Sequence, residues 1–275
     1  ELLSHRGIQF NKPDKLEELQ RSRYDLVLVA LSAENDRTMN TLYQFADEGG
    51  GVILYANMNR MAEQFGYAKT ETIPTGYAAL NLSTNTEEKE APPLKFFEAV
   101  PWIPFSEDAG IAEKEGELYC NNKTGRDGSE ETVPALLKFK VNSGFIDRWS
   151  VGIMQTIVRL QQGITPLTED GVPALDGTGS VNDRILKADD TVAMNWDTDR
   201  RTTETGSPYF AYPYADEWRE VVVGHIIQRA AEHGLSVPYI GYWPPGIEAV
   251  AMISHDSDGN VEEHGRTTLK LLEEQ

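Results

Sequence analysis

The sequence predicts an α/β fold, an open sheet layered with helices, on three observations. Tyr24–Ala30 (YDLVLVA) is a near-continuous β-rich run, as a strand buried on both faces requires. Residues 36–48 place Met39, Leu42, Tyr43, Phe45 and Ala46 roughly on one helical face. Gly49-Gly50-Gly51 then stops that helix, because glycine takes the left-handed cap conformation cheaply, and Val52–Ala56 (VILYA) follows as the next strand. Strand, helix, glycine turn and strand make a βαβ unit, and its crossover should be right-handed.

The remaining elements follow in chain order. Leu16–Leu19 belong to a short helical stretch ahead of the first strand. Residues 70–131 change texture: STNTEEKEAPP, SEDAG and NNKTGRDGSEE read as surface loops or a small excursion. Val133–Val141 and Phe145–Trp149, joined by Asn142-Ser143-Gly144, read as a hairpin. Residues 152–162 (GIMQTIVRLQQ) pattern as an amphipathic helix closed by Gly163. The stretch 164–210, rich in Thr, Asp and Gly, is assigned little regular structure, and Asp216 is expected to cap a helix running to His233. Val237–Gly246 is a proline-rich connector, and Ala249–Ile253 a new buried strand. The expected division is 1–163 as an α/β domain, 164–236 as an irregular segment with a connecting helix, and 237–275 as the beginning of a second domain.

Composition bounds the function. With 40% hydrophobic residues in 275, the chain can bury a core. Its 25 Lys+Arg against 44 Asp+Glu give a formal charge of -19, which argues against nucleic acid as a partner. No run approaches the length of a membrane-spanning helix. The single cysteine, Cys120, excludes an intrachain disulfide and a thiolate zinc knuckle. That suits a cytoplasmic protein and equally a bacterial surface or secreted one. The ends, ELLSHRGIQF and LLEEQ, read as structured protein and as the inside of a helix, so a piece of a longer protein is expected.

The sharpest chemical signal is Ser254-His255-Asp256-Ser257-Asp258-Gly259-Asn260. It follows an apolar strand, and the carboxyl ends of strands are where α/β folds place ligands. Spacing of two along extended chain points Asp256 and Asp258 the same way. A turn at Asp258-Gly259-Asn260 with Asp256 as its cap explains the same residues structurally. Tyr209–Tyr214, Trp218, Tyr242 and Trp243 could stack on sugar rings, with core packing as the ordinary use. Arg148 and Arg159 could bind a carboxylate or phosphate, with exposed ion pairing as the default.

Ala251–Asp258 (AMISHDSD) resembles the first motif of the polysaccharide deacetylase (NodB-homology, carbohydrate esterase 4) superfamily. The resemblance implies a (β/α) barrel beginning here, with Asp256 as general base, Asp258 as ligand of zinc or a similar divalent metal, and His255 and Trp243 on the substrate side. It implies hydrolysis of acetyl groups from a carbohydrate. The family's two histidine ligands come from a downstream H-x-x-x-H segment, and none of His5, His225, His233, His255 and His264 forms such a pair; 17 residues follow Asp258. The metal is therefore expected for the full deacetylase domain and not for this chain. Residues 24–30, 49–55 and 62–66 together resemble the class I glutamine amidotransferase-like fold, an open flavodoxin-like parallel sheet, over about 1–160. Its Gly-x-Cys-x-Gly elbow has no counterpart here, since Cys120 has no flanking glycines. The alternative is a non-enzymatic α/β module that binds sugars or partners and carries a vestigial Asp-x-Asp motif.

Overall fold

The computed structural model describes residues 2–30, 32–80, 93–106, 112–119, 133–164, 193–239, 246–247, 250, 252 and 261–273. The chain divides into two compact units, Glu1–Pro238 and Tyr239–Gln275.

The first unit opens with a short helix, α1 (Leu2–His5), and a 3-10 turn at Leu16–Glu18, then builds the βαβ element. Strand β1 (Leu26–Val29) leads into α2 (Asp36–Asp47), which returns to β2 (Gly51–Tyr55). Asn35 caps α2: its side chain accepts from the Thr38 N–H at 3.0 Å, satisfying one of the orphan donors of the first turn. Gly49, at φ 93°, ends the helix as the glycine run predicts. Gly50 allows a close return, because a Cβ there would lie 2.2 Å from the Phe45 ring.

Beyond β2 come a 3-10 helix at Asn59–Phe65, β3 (Tyr67–Lys69), β4 (Gly76–Ala79), β5 (Leu94–Phe96), β6 (Trp102–Pro104) and β7 (Glu113–Tyr119). The hairpin β8 (Val133–Val141) and β9 (Gly144–Trp149) follows, then α3 (Ile153–Gln162), β10 (Arg200–Thr202), β11 (Pro208–Phe210) and α4 (Tyr214–Glu232). The hairpin turns at Asn142, which adopts φ 48°. Asparagine tolerates that conformation better than most residues, and here its amide also donates to the Asp47 carbonyl at 3.1 Å. In the second unit α5 spans Glu262–Glu273.

The main sheet has seven strands in the order β1-β2-β9-β8-β7-β4-β5. It is parallel across β1, β2 and β9 and antiparallel from β9 outward. The fold is thus α/β as expected, but the sheet is mixed where a parallel one was expected. Period-two alternation sends its side chains to two cores. Ile53, Tyr55, Leu136, Phe145 and Trp149 pack with α3 and α4, against Ile153, Ile157, Trp218, Val222 and Ile226. Val52, Leu54, Leu137, Phe139 and Ile146 pack on the opposite side with α2 and the 3-10 helix, against Met39, Leu42, Met61 and Phe65. Helices on both faces make all five residues of β2 buried, which is why that strand reads as an unbroken apolar run.

Several expectations are corrected. The stretch 70–131 supplies β4, β5 and β7 to the main sheet and β6 to a pair with β3. β4, β5 and β6, of three or four residues each, are too short to show a period. The stretch 164–210 contains the antiparallel pair β10–β11. The helix assigned to a connecting segment is a core element, with Trp218 and Val222 fully buried. It begins at Tyr214 behind Pro213, which has no side-chain cap bond, and Asp216 lies within its first turn. Tyr43 is 39% exposed, on the edge of the apolar stripe of α2. In the second unit Val250 and Met252, the described residues of the strand expected at 249–253, are outside any strand and 51% and 88% exposed.

Candidate functional site

Asp256, Asp258, His255 and Trp243 lie outside the described residues, as does Cys120. Among the described residues no group of three or more His, Cys, Asp or Glu is gathered to hold a metal ion. Three polar constellations stand out among the described residues of the first unit, and of their charged members the sequence singles out only Arg148, as a possible carboxylate or phosphate binder.

The first is the rim at the carboxyl ends of β1, β2 and β9. After β2, Ala56 adopts φ 54° and Met58 φ 53°, both left-handed without being glycine, before the 3-10 helix begins at Asn59. A strained strand-to-helix turn is the backbone form of a nucleophile elbow. Its apex here carries only the methyl group of Ala56. Asn57 ties the rim together: its side-chain carbonyl accepts from the Tyr55 N–H at 3.1 Å, and its amide donates to the Val29 carbonyl at 2.8 Å. The Asn59 side-chain carbonyl accepts from Trp102 Nε1 at 3.1 Å and from Arg148 Nη2 at 2.8 Å.

Arg148 corrects the expectation of an exposed ion pair: it is fully buried. Nη2 also donates to the Val100 carbonyl at 2.7 Å, Nε reaches the Asn57 carbonyl at 3.4 Å, and the guanidinium lies 4.2 Å over the Trp102 ring. Nη1 has no hydrogen-bond partner among the described residues. Burial pulls the group down to about 9, with the charge of Glu34 opposing the shift, so it remains a cation at neutral pH. Arg159, by contrast, is half-exposed, donates to the Phe97 carbonyl at 3.0 Å and lies 3.7 Å from Glu98.

The second constellation centres on Asp147, a fully buried carboxylate on β9. It accepts from His225 Nε2 at 2.8 Å and from Arg229 Nη2 at 3.3 Å, both from α4, and forms an ion pair with Arg229, whose Nε lies 2.7 Å away. Trp149 Nε1 donates to His225 Nδ1 at 3.1 Å. An indole nitrogen can only donate, so Nδ1 must carry the lone pair and Nε2 the proton. The resulting acid–imidazole pair resembles a catalytic dyad in connectivity, but its second ring nitrogen faces an indole in the core. It holds α4 to the sheet.

The third centres on Asp199, also fully buried. Lys95 Nζ lies 2.5 Å from one carboxylate oxygen, while the hydroxyls of Tyr77 and Tyr214 donate to the other at 2.8 and 2.9 Å. The Asn195 N–H donates to the same carboxylate at 2.6 Å. Of the aromatic residues, Tyr214 and Trp218 pack in the core as the ordinary use expects, whereas Tyr209 is 46% exposed; Tyr242 and Trp243 lie outside the described residues. Trp218 donates to the Lys95 carbonyl at 2.8 Å.

These clusters set an alkaline limit on stability. Burial, with the nearby Asp147 carboxylate, pushes the Tyr55 hydroxyl far above the ordinary value of 10.0, and burial with Asp199 does so for Tyr214. Tyr77 is raised as well, burial and Asp199 outweighing its bond with Thr198. A folded-state pKa above the unfolded one contributes stability that is complete below pH 10 and is lost as the pH climbs toward the folded value. The expected result is that the buried phenols of Tyr55, Tyr77 and Tyr214 ionise only together with unfolding. A pH titration following phenolate absorbance and near-ultraviolet dichroism checks this; buried phenolates forming in a folded protein would refute it.

No protein-family model matches the chain, and no curated protein sequence matches it. Solved structures overlap part of it. An exo-β-1,4-mannosidase from Opitutaceae bacterium strain TAV5 is 15% identical over 52% of this chain and 24% of its own, with a TM-score of 0.34. A β-galactosidase from Bacillus circulans sp. alkalophilus is 13% identical over 54% of this chain and 24% of its own, with a TM-score of 0.33. A cytoplasmic protein from Salmonella typhimurium LT2 is 15% identical over 50% of this chain and 64% of its own, with a TM-score of 0.29. The chain thus spans about a quarter of the length of the two glycosidases, and overlaps this loose carry no activity across.

Proposed function

We propose that the chain is the front part of a metal-dependent carbohydrate deacetylase. In this reading the first unit is a non-catalytic, flavodoxin-like module of the amidotransferase-like kind, and the second begins the (β/α) deacetylase domain with Asp256 as base and Asp258 as metal ligand. What supports the reading is the Ser254–Asp258 motif itself. The strained turn after β2 carries only a methyl group at its apex, which is compatible with a scaffold role for the first unit. The sealed state of Asp147 and Asp199 supports the same division, since a catalytic carboxylate must be reached by its substrate.

The residues present do not by themselves fit a metal. One carboxylate ligand without an H-x-x-x-H pair leaves most of the coordination to water. The 275-residue chain is therefore expected to bind no stoichiometric zinc. The native-length protein should release acetate from an N-acetylated oligosaccharide, with Asp256→Asn lowering the rate about 100-fold or more and Asp258→Ala removing both zinc and activity. Stoichiometric zinc in the 275-residue chain, lost on Asp258→Ala, would overturn the incomplete-site argument. No acetate from the native-length protein would favour the non-enzymatic sugar- or partner-binding module.

A further inference from the structure

We propose that the cleft between residues 19–22 and the C-terminal half of α2 binds an amino sugar, a ligand with one ammonium group among several hydroxyls. The proposal stands independently of the deacetylase reading.

The cleft encloses about 360 Å³, within the range of small-ligand sites. Thr41, Gln44 and Glu48 line it at spacings of three and four, so α2 presents them on a single face. Arg21 and Ser22 line it from the segment ahead of β1, and Leu19 with the buried Phe45 supplies its apolar part. The hydroxyls of Ser22 and Thr41 have no hydrogen-bond partner among the described residues, so both are open to the hydroxyls of a ligand.

The charge of the lining selects a cation. Glu48 caps the C-terminal end of α2, where the last carbonyls of a helix leave partial negative charge. Asp47 precedes it, and no basic residue stands in the last turn. Acids at that end cost stability, and a bound cation offsets the cost. One Glu48 oxygen accepts from the Gln44 amide at 2.9 Å, and the other is unbonded among the described residues. Arg21 does not oppose a cation, because Asp25 lies 3.1 Å from its Nη1 and the Tyr24 carbonyl accepts from the same atom. A carboxylate without a counter-charge, open hydroxyls and an apolar patch together complement a protonated amino sugar. They do not complement an anion or a hydrocarbon.

The test is calorimetric titration of the 275-residue chain with glucosamine hydrochloride, N-acetylglucosamine, glucose or methylammonium chloride at constant ionic strength. Glucosamine is expected to bind saturably, about ten-fold more tightly than the other three, because only it combines the charge-assisted bond with the hydroxyls. Glu48→Gln keeps the acceptor for Gln44 and removes the charge, so it should bring glucosamine down to the level of glucose. Thr41→Val should weaken glucosamine and glucose alike. Should Thr41→Val fail to fold, Glu48→Gln, at an exposed position, decides. No saturable binding of glucosamine, glucosamine no tighter than glucose or methylammonium, or an unchanged preference in Glu48→Gln would each overturn the proposal. Acetate release by the native-length protein is a separate measurement, so failure of one reading leaves the other standing.

Discussion

Replacing Asp147 with alanine is expected to destabilise residues 1–238 by about 3–5 kcal/mol, the cost of stranding buried charge and donors. The carboxylate is fully buried and serves two residues of α4, His225 and Arg229. Its removal leaves the partly buried Arg229 guanidinium, packed 4.0 Å over the Phe145 ring, with Glu232 as its remaining carboxylate partner. It also leaves the His225 Nε2 proton without an acceptor, while Nδ1 stays committed to Trp149. Urea unfolding of the wild type, Asp147→Ala and Asp147→Asn measures the effect. Asparagine should cost less, because its carbonyl still accepts from His225. A loss below about 1 kcal/mol in Asp147→Ala, the range of exposed pairs, would mean that the network contributes no more than a surface salt bridge.

The βαβ element and the β8–β9 hairpin were legible because they are long or strongly patterned. Asn142-Ser143-Gly144 sits between two β-rich runs, and the glycine run after residue 48 ends an amphipathic stretch. The outer strands were not, and their physics explains why. β7 (EKEGELY) looks like loop because its side chains are charged, yet Glu113 and Glu115 face Lys138 of β8 at 3.8 and 2.6 Å. Cross-strand charge pairs stabilise such a strand without any hydrophobic period. A strand that is antiparallel to its neighbour looks locally the same as one that is parallel, so the mixed sheet could not be read from the β-rich runs themselves.

The polar clusters were hidden for a related reason. Asp147 and Arg148 are adjacent on a strand whose six residues are all buried, so they point to opposite faces and into different cores. In the sequence Arg148 reads as an exposed ion-pairing residue by default, and nothing local singles out Asp147. Their partners, His225 and Asn59, lie far away along the chain, and only the topology brings them together. The strained turn at Ala56 left a faint trace, a small residue followed by Asn-Met-Asn directly after an apolar strand.

Asp199→Ala is the second large effect, again about 3–5 kcal/mol, and it tests a different attachment. Asp199 directly precedes β10 and is joined to β5 through Lys95, to β4 through Tyr77 and to α4 through Tyr214. Alanine would leave a buried ammonium group, 4% exposed, without its counter-charge and the Tyr214 hydroxyl without its acceptor, while Tyr77 keeps the Thr198 hydroxyl at 3.0 Å. Replacing the pair together, Lys95→Met with Asp199→Leu, should recover much of the loss, because an apolar pair of similar volume does not carry the desolvation cost of either charge. The coupling energy from the double-mutant cycle therefore separates two roles for the cluster. Strong coupling with a restored midpoint makes Lys95–Asp199 a self-compensating pair whose task is to fasten residues 195–199 and the following hairpin to the sheet. A double variant no more stable than Asp199→Ala would instead place the stability in the two tyrosine bonds, and Tyr77→Phe and Tyr214→Phe should then each reproduce part of it.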